Sequence, residues 1–358
     1  MTRPIRLEID LAAIRHNYQH SRQQAPGARA YAVIKADAYG HGALEVAQAL
    51  ADIADGFALL NLEDALRLRR AGIQQPMTLL EGAFDLEDTV RMAENRIAGA
   101  VHSPHQIAWL EQLQSDLPFE AWLKVNSGMN RLGFQPEAAP AAMDRLRAHP
   151  AVKLSTIMTH FATADDARGV AGQWEKFEPL ARASGLAISA ANSAATFRHA
   201  HTHGDAVRPG ITLYGCSPFD DVNGPELGLK PGMTLSADII AVQHIQPGEI
   251  VGYGATFQAE RPMRIGIVAC GYADGYPRVV PSGTPVLIDG KLSGTVGRVS
   301  MDMLVIDLSA LPEAGIGSRV TLWGQGLPIE TIARAAGTLG YELMCAISTR
   351  VPRHYLPA

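Results

Sequence analysis

Lys35 follows four residues suited to a buried strand, Tyr31 to Ile34, in the run YAVIKADAYGHG at 31–42. Lysine is rarely buried without a partner. At the end of an apolar strand its ammonium can be desolvated and its pKa lowered, which makes the amine a nucleophile toward carbonyl compounds. The plainer alternative is a side chain that snorkels from the strand end to solvent. The residues that follow favour chemistry: Tyr39 offers a hydroxyl, and Gly40 and Gly42 let the backbone approach a ligand closely.

Other residues sit at comparable places. His160 ends the run STIMTH, although a lone histidine is more often structural. Arg208, in VRPG, stays charged, so it can donate a hydrogen bond but no proton. A salt bridge at a turn is its alternative. Asn192 and Ser193 could bind an anion or simply cap a helix. Gly210 can turn its N–H toward an anion, beside that of Ile211. Tyr341 in LGYELMC is a further hydroxyl donor or else a core aromatic.

These residues need elements to hold them. Short apolar runs recur between about 30 and 215: YAVIKA, GFALLN, MTLLEG, RIAGAVHS, AWLKVN, STIMTH, LAISAANS and AVRPGITLYG. Helical patterns such as GALEVAQALAD, LEDALRLRRAG and DLEDTVRMAEN lie between them. Fully apolar strands alternating with amphipathic helices predict a parallel sheet covered by helices. About eight units favour a (β/α)8 barrel, whose active-site face lies at the C-terminal strand ends. An open doubly wound sheet is the alternative.

Beyond about residue 230 the sequence becomes β-rich, with Gly, Pro and Asp-Gly turns such as Asp289-Gly290. One helix-like stretch, IETIARAAGTLGYELM, interrupts it. We therefore expect α/β plus β: a barrel over 1–230 and a mainly antiparallel β-domain over 231–358. The first ten or so residues are candidates to pack with the second domain.

The 358 residues are 47% hydrophobic and 19% charged, enough for large cores. A net charge of -5 without a basic stripe argues against nucleic acid as a partner. The N-terminus is broken by charges and shows neither a signal-peptide core nor a membrane span. Cys216, Cys270 and Cys345 share no metal-ligand spacing, so a reduced, cytoplasmic, metal-free protein is expected.

AVIKADAYGHG resembles the cofactor-lysine signature of alanine racemases, which use pyridoxal 5'-phosphate. The resemblance recurs in KVNSGMNRLGF, MTHFATAD, AANSAAT, VRPGITLYG, VGYGATF, GYADGYPR and GRVSMDM, in the family's order. It implies a (β/α)8 TIM barrel followed by a β-domain, in a head-to-tail homodimer that shares its active sites. It implies that Lys35 carries the cofactor and that Tyr253, from the neighbouring subunit, is the second base. His160 would tune that tyrosine through a network with Arg208, which would face the pyridine nitrogen. Tyr39, Asn192, Ser193, Gly210, Ile211 and Tyr341 would hold the phosphate end. Arg131 would meet the substrate carboxylate, with Met301 and Asp302 reaching in from the partner. Lys124 matches a lysine that is often carbamylated in the family, and Tyr272, Arg278 and Arg298 match residues lining the channel to the site.

The expected activity is interconversion of L- and D-alanine, supplying D-alanine for peptidoglycan or catabolising it. A basic-amino-acid decarboxylase of similar architecture would instead put a carboxylate on the pyridine nitrogen and a catalytic cysteine in the β-domain. Arg208 and the Tyr253 motif speak against it. A non-enzymatic cofactor binder would not need so large a β-domain.

Overall fold

The computed structural model describes residues 3–358. Strand β1, Ile5–Asp10, leads into a helix over Leu11–Gln24 that the Asp10 side chain caps by accepting from the Ala13 N–H at 2.8 Å. The barrel strands are β2 Arg29–Val33, β3 Gly56–Leu59, β4 Met77–Leu79, β5 Ile97–Val101, β6 Phe119–Lys124, β7 Val152–Met158, β8 Ala187–Ser189 and β9 Ala206–Val207. They pair in parallel in the order β8-β7-β6-β5-β4-β3-β2-β9. A bridge between Asn192 and Arg208, just past β8 and β9, brings the two ends of the sheet together. Every residue of β3, β4 and β5 is buried, because helices cover the outside while side chains fill the inside. Tyr31 and Trp122 meet edge to face there at 5.0 Å.

The helices of the predicted patterns form over Ala43–Leu50, Leu62–Arg70 and Leu86–Glu94. Asn61 and Asp85 cap the last two by accepting from Glu63 and Asp88 N–H groups. Such a cap contributes about 1 kcal/mol.

The second sheet is built mainly from antiparallel pairs. Its strands are β10 Met233–Ile245, β13 Met263–Val268, β14 Pro285–Ile288, β15 Lys291–Gly294, β16 Leu304–Asp307, β17 Arg319–Trp323 and β18 Arg353–Leu356, with β1 between β10 and β18. A separate pair joins β11 Ile250–Val251 to β12 Phe257–Gln258. The N-terminal strand is thus part of this sheet, although residues 1 and 2 lie outside the described residues. Asp289 and Gly290, at φ 46° and 80°, turn β14 into β15. The single helical stretch expected near the C-terminus is two helices, Ile329–Ala336 and Gly340–Cys345. Gly337, at φ 68°, ends the first in the left-handed region. Among the described residues no helix is long and apolar enough to cross a membrane.

Candidate active site

Strand β2 stops at Val33, and Lys35 opens the turn that follows rather than ending the strand itself. Ala36, Asp37, Ala38 and Tyr39 then adopt φ of 52°, 53°, 54° and 52°, and Gly40 adopts 81°. This is a left-handed turn made of residues that normally avoid it. The conformation costs about 1–2 kcal/mol at each alanine or tyrosine, so surrounding contacts must hold it. Burial lowers the Lys35 pKa, and the neighbouring Arg131 guanidinium lowers it further, while Glu81 acts in the opposite sense. The amine is thereby moved toward the neutral, nucleophilic form.

Past β9, Arg208 is buried and firmly held. Its Nη1 donates to Ser189 Oγ at 2.6 Å, and its Nη2 donates to the carbonyls of Thr159 at 2.7 Å and Ala190 at 3.2 Å. None of these bonds uses Nε. Burial pushes the guanidinium pKa down to about 10, which leaves it charged at neutral pH.

A cradle of hydroxyls and N–H groups lies near the turn. Ser193 Oγ accepts from the Gly210 N–H at 2.8 Å and from Thr212 Oγ1 at 3.3 Å. A Cβ on Gly210 would stand 2.8 Å from the Tyr39 hydroxyl, so only glycine leaves that space open. The Tyr39 ring lies 4.8 Å from that of Tyr214 and 6.0 Å from that of Tyr341. Ile211 opens the short turn over Ile211–Tyr214, where its N–H has no partner within the turn. Asn192 spends its side-chain oxygen on the cap of the helix over Ser193–Arg198, accepting from Ala195 at 3.0 Å.

The crevice beside the turn is rich in cations. Lys124, Arg131 and His160 line one pocket. Burial, then Arg208 and Arg131, push the Lys124 pKa down to about 8. Burial and the charges of Arg208, Lys124, Arg131 and Lys35 hold His160 well below its ordinary value, hence neutral. Arg208 reaches the carbonyl of Thr159, next to His160, and gives no hydrogen bond to the imidazole itself.

The remaining candidates are not in this crevice. Tyr253 is 70% exposed on a turn between Gly252 at φ 76° and Gly254 at φ 74° in the β-domain. Arg298 packs against that turn, and Tyr272, Arg278 and Met301 are exposed on the same domain. Backbone bonds from Tyr272 to Ser300 and from Ala273 to Met301 tie the GYADGYPR and SMDM segments together. Asp302 is engaged within the chain: Arg350 Nη2 donates to its Oδ1 at 2.7 Å, and Arg350 Nε also donates to the buried Asp274 at 2.7 Å. One chain therefore holds the candidate residues in two separate groups, a recessed cationic one and an exposed one with Tyr253 at its tip.

Sequence reasoning passed over Ser189 and Thr159, which orient Arg208, and Glu81, the acid whose charge acts on Lys35 and Lys124. Ser189 ends β8 within the run LAISAANS and Thr159 follows β7 within STIMTH, so position could have found them. Glu81 likewise stands near the end of the run MTLLEG, just past β4, and the same position could have found it.

Comparison with known proteins agrees across the chain. Residues 9–218 match the family profile described as alanine racemase, N-terminal domain, and residues 232–355 match alanine racemase, C-terminal domain. An alanine racemase of Laribacter hongkongensis is 54% identical, with 100% of both chains covered. A protein named alanine racemase, catabolic, of Klebsiella aerogenes is 51% identical, over 98% of this chain and 99% of the other. The crystal structure of a biosynthetic alanine racemase from Pseudomonas aeruginosa superimposes with a TM-score of 0.96 at 47% identity, covering 99% of this chain and 100% of that one.

Proposed function

This chain belongs to the alanine racemase family, and from that premise we propose that it interconverts L- and D-alanine with pyridoxal 5'-phosphate held on Lys35. The observation that carries the reading is the depressed pKa of Lys35 beside an open cradle of hydroxyl and N–H donors. That donor set fits the cofactor. Tyr39, Ser193, Gly210, Ile211 and Tyr341 would receive its phosphate, with Asn192 shaping the cradle as a helix cap. Arg208 has Nε left to donate to the ring nitrogen. When bound, the cofactor acidifies the α-carbon of an amino acid joined to it.

The chain's own residues then handle the proton. Lys35 Nζ serves one face of the α-carbon, its lowered pKa bringing it closer to the working range of a general base. The hydroxyl of Tyr253 from a second copy of the chain serves the other face. A phenol ordinarily titrates near ~10, so it needs positive surroundings to act as a base. The cluster of Arg131, Lys124 and Arg208 supplies them, and His160, kept neutral, stays available as a hydrogen-bond partner. Arg131 binds the substrate carboxylate, with the Met301 N–H and Asp302 of the second copy completing that end. Tyr272, Arg278 and Arg298 line the approach. Because Arg208 stays charged and gives up no proton, a pyridine nitrogen facing it would stay unprotonated, which would limit charge delocalisation and side reactions.

The apolar residues exposed on the β-domain, including Tyr253 at 70% and Met301 at 53%, suit a head-to-tail homodimer that covers them. We place its action in the cytoplasm. Racemisation runs both ways, so the same site can supply or consume D-alanine. An absorbance scan of purified protein, with assays started from each isomer, tests the reading. A bound-cofactor band and one common end-point are expected; no band and no interconversion would contradict it.

A further inference from the structure

The acid and the histidine of DAYGHG have no part in the proton transfers above, yet both grip the backbone around Lys35. Asp37 Oδ1 accepts from the Ala43 N–H at 2.9 Å, and its Oδ2 accepts from Arg353 Nη1 of β18 at 2.7 Å. Arg67 Nη2 approaches the same carboxylate at 3.8 Å, and the Gly42 N–H donates to the Asp37 carbonyl at 2.9 Å. His41 is completely buried, with Nδ1 2.9 Å from the Ala38 carbonyl and 3.1 Å from the Tyr39 carbonyl. Two carbonyls can only accept, so Nδ1 carries the proton. The ring stacks on Tyr214 at 4.5 Å, and its Nε2 has no hydrogen-bond partner. The contacts converge on the four consecutive non-glycine residues at positive φ.

We propose that Asp37 and His41 are positioning residues for Lys35 and Tyr39. Asp37 fixes the outer side of the left-handed turn to the following helix and to β18. His41 fixes its inner side by holding two carbonyls. Lys35 immediately precedes the left-handed run and Tyr39 ends it, so the placement of one relative to the other depends on that run being held. The carboxylate of Asp37 also links the turn to the C-terminal strand, so the β-domain helps set the lysine. The proposal rests on Lys35 holding the cofactor.

The test compares Asp37→Ala, Asp37→Asn, His41→Asn and His41→Ala, each with and without Ala36→Gly. Ala36 is exposed, so the glycine removes little packing and only makes positive φ easy. The readouts are the Kd for pyridoxal phosphate by absorbance titration, the rate of borohydride fixation to the Lys35 peptide, kcat and KM separately, and Tm. Asp37→Ala should weaken cofactor binding at least tenfold and lower kcat more than it raises KM. Asp37→Asn, which keeps an acceptor for Ala43, should fall between it and wild type. His41→Asn should retain more affinity than His41→Ala, because an amide can still donate to a carbonyl. Adding Ala36→Gly to Asp37→Ala should restore affinity severalfold. Variants that lose Tm but keep wild-type Kd, fixation rate and kcat would overturn the positioning role, as would a failure of the glycine to restore affinity. Wild-type label on a lysine other than Lys35 would overturn the functional reading instead, and the positioning role with it.

Discussion

Lys124 Nζ donates to the carbonyl of Leu80 at 3.2 Å, leaving a buried ammonium among Arg208, Arg131 and Lys35. Glu81 offsets their repulsion only in part, and the pKa falls to about 8. At pH 7 roughly a tenth of such amines are neutral, far more than for a lysine at its usual value near ~10.4. The neutral amine is the form that attacks carbon dioxide, losing a proton as the carbamate forms. We expect 13C-bicarbonate to give a carbamate signal that Lys124→Met abolishes. The carbamate would replace a cation with an anion beside Arg131. A spectrum identical for wild type and Lys124→Met would remove the modification from the account.

The same shift makes stability depend on pH. The folded pKa of Lys124 lies below the unfolded value, so between about 8 and 10.5 the unfolded chain binds more protons. In bicarbonate-free buffer the wild type should therefore gain stability as pH rises through 8, by up to about 2 kcal/mol relative to Lys124→Met. The difference should be flat below pH 7, where both states are protonated. Urea melts of both proteins from pH 6.5 to 9.5 measure it, and a difference that does not change across that range would refute the assignment.

Lys35→Ala should lower racemisation at least about a thousandfold, since it removes both the covalent anchor and one proton carrier. Borohydride should attach cofactor to the Lys35 peptide of the wild type and leave the variant unlabelled. Mass spectrometry of the digested protein decides this, and label on another lysine would displace Lys35 from its role.

Ser189→Ala removes the 2.6 Å hydrogen bond from Arg208 Nη1 without adding bulk. Hydrogen bonds to charged groups contribute about 1.5–3 kcal/mol, so a misaligned guanidinium should reduce kcat/KM roughly tenfold to a hundredfold. Arg208→Lys, which cannot serve Ser189, Thr159 and the ring nitrogen together, should be worse. Wild-type kinetics in both variants would mean that Arg208 does not face the ring.

Much of this architecture is legible in the chain because local chemistry decides it. Uninterrupted apolar runs mark β3, β4 and β5, since a strand covered on both faces needs no polar alternation. Asp289-Gly290 marks its hairpin because the pair tolerates positive φ. The left-handed turn after Lys35 is not legible. Alanine carries no preference for that region, and one of the contacts holding it comes from Arg353, 316 residues away. The positions of Ser189 and Thr159 at strand ends are legible, but their hold on Arg208 is not, because it depends on where a distant arginine arrives. The exposure of Tyr253, on a turn between two glycines at positive φ, is not legible either, because alternating strand patterns say nothing of how far a turn projects.

In the proposed homodimer a working site joins Lys35 of one subunit to Tyr253 of another. Lys35→Ala and Tyr253→Ala are each expected to be nearly inactive as homodimers, because every site lacks one base. In a mixed dimer the Tyr253→Ala subunit supplies Lys35 and the Lys35→Ala subunit supplies Tyr253, so one site is complete. Random assortment gives about half mixed dimers, and co-expression should restore roughly a quarter of wild-type activity. Mixed dimers verified by two affinity tags that remain as inactive as the separate variants would contradict the shared site.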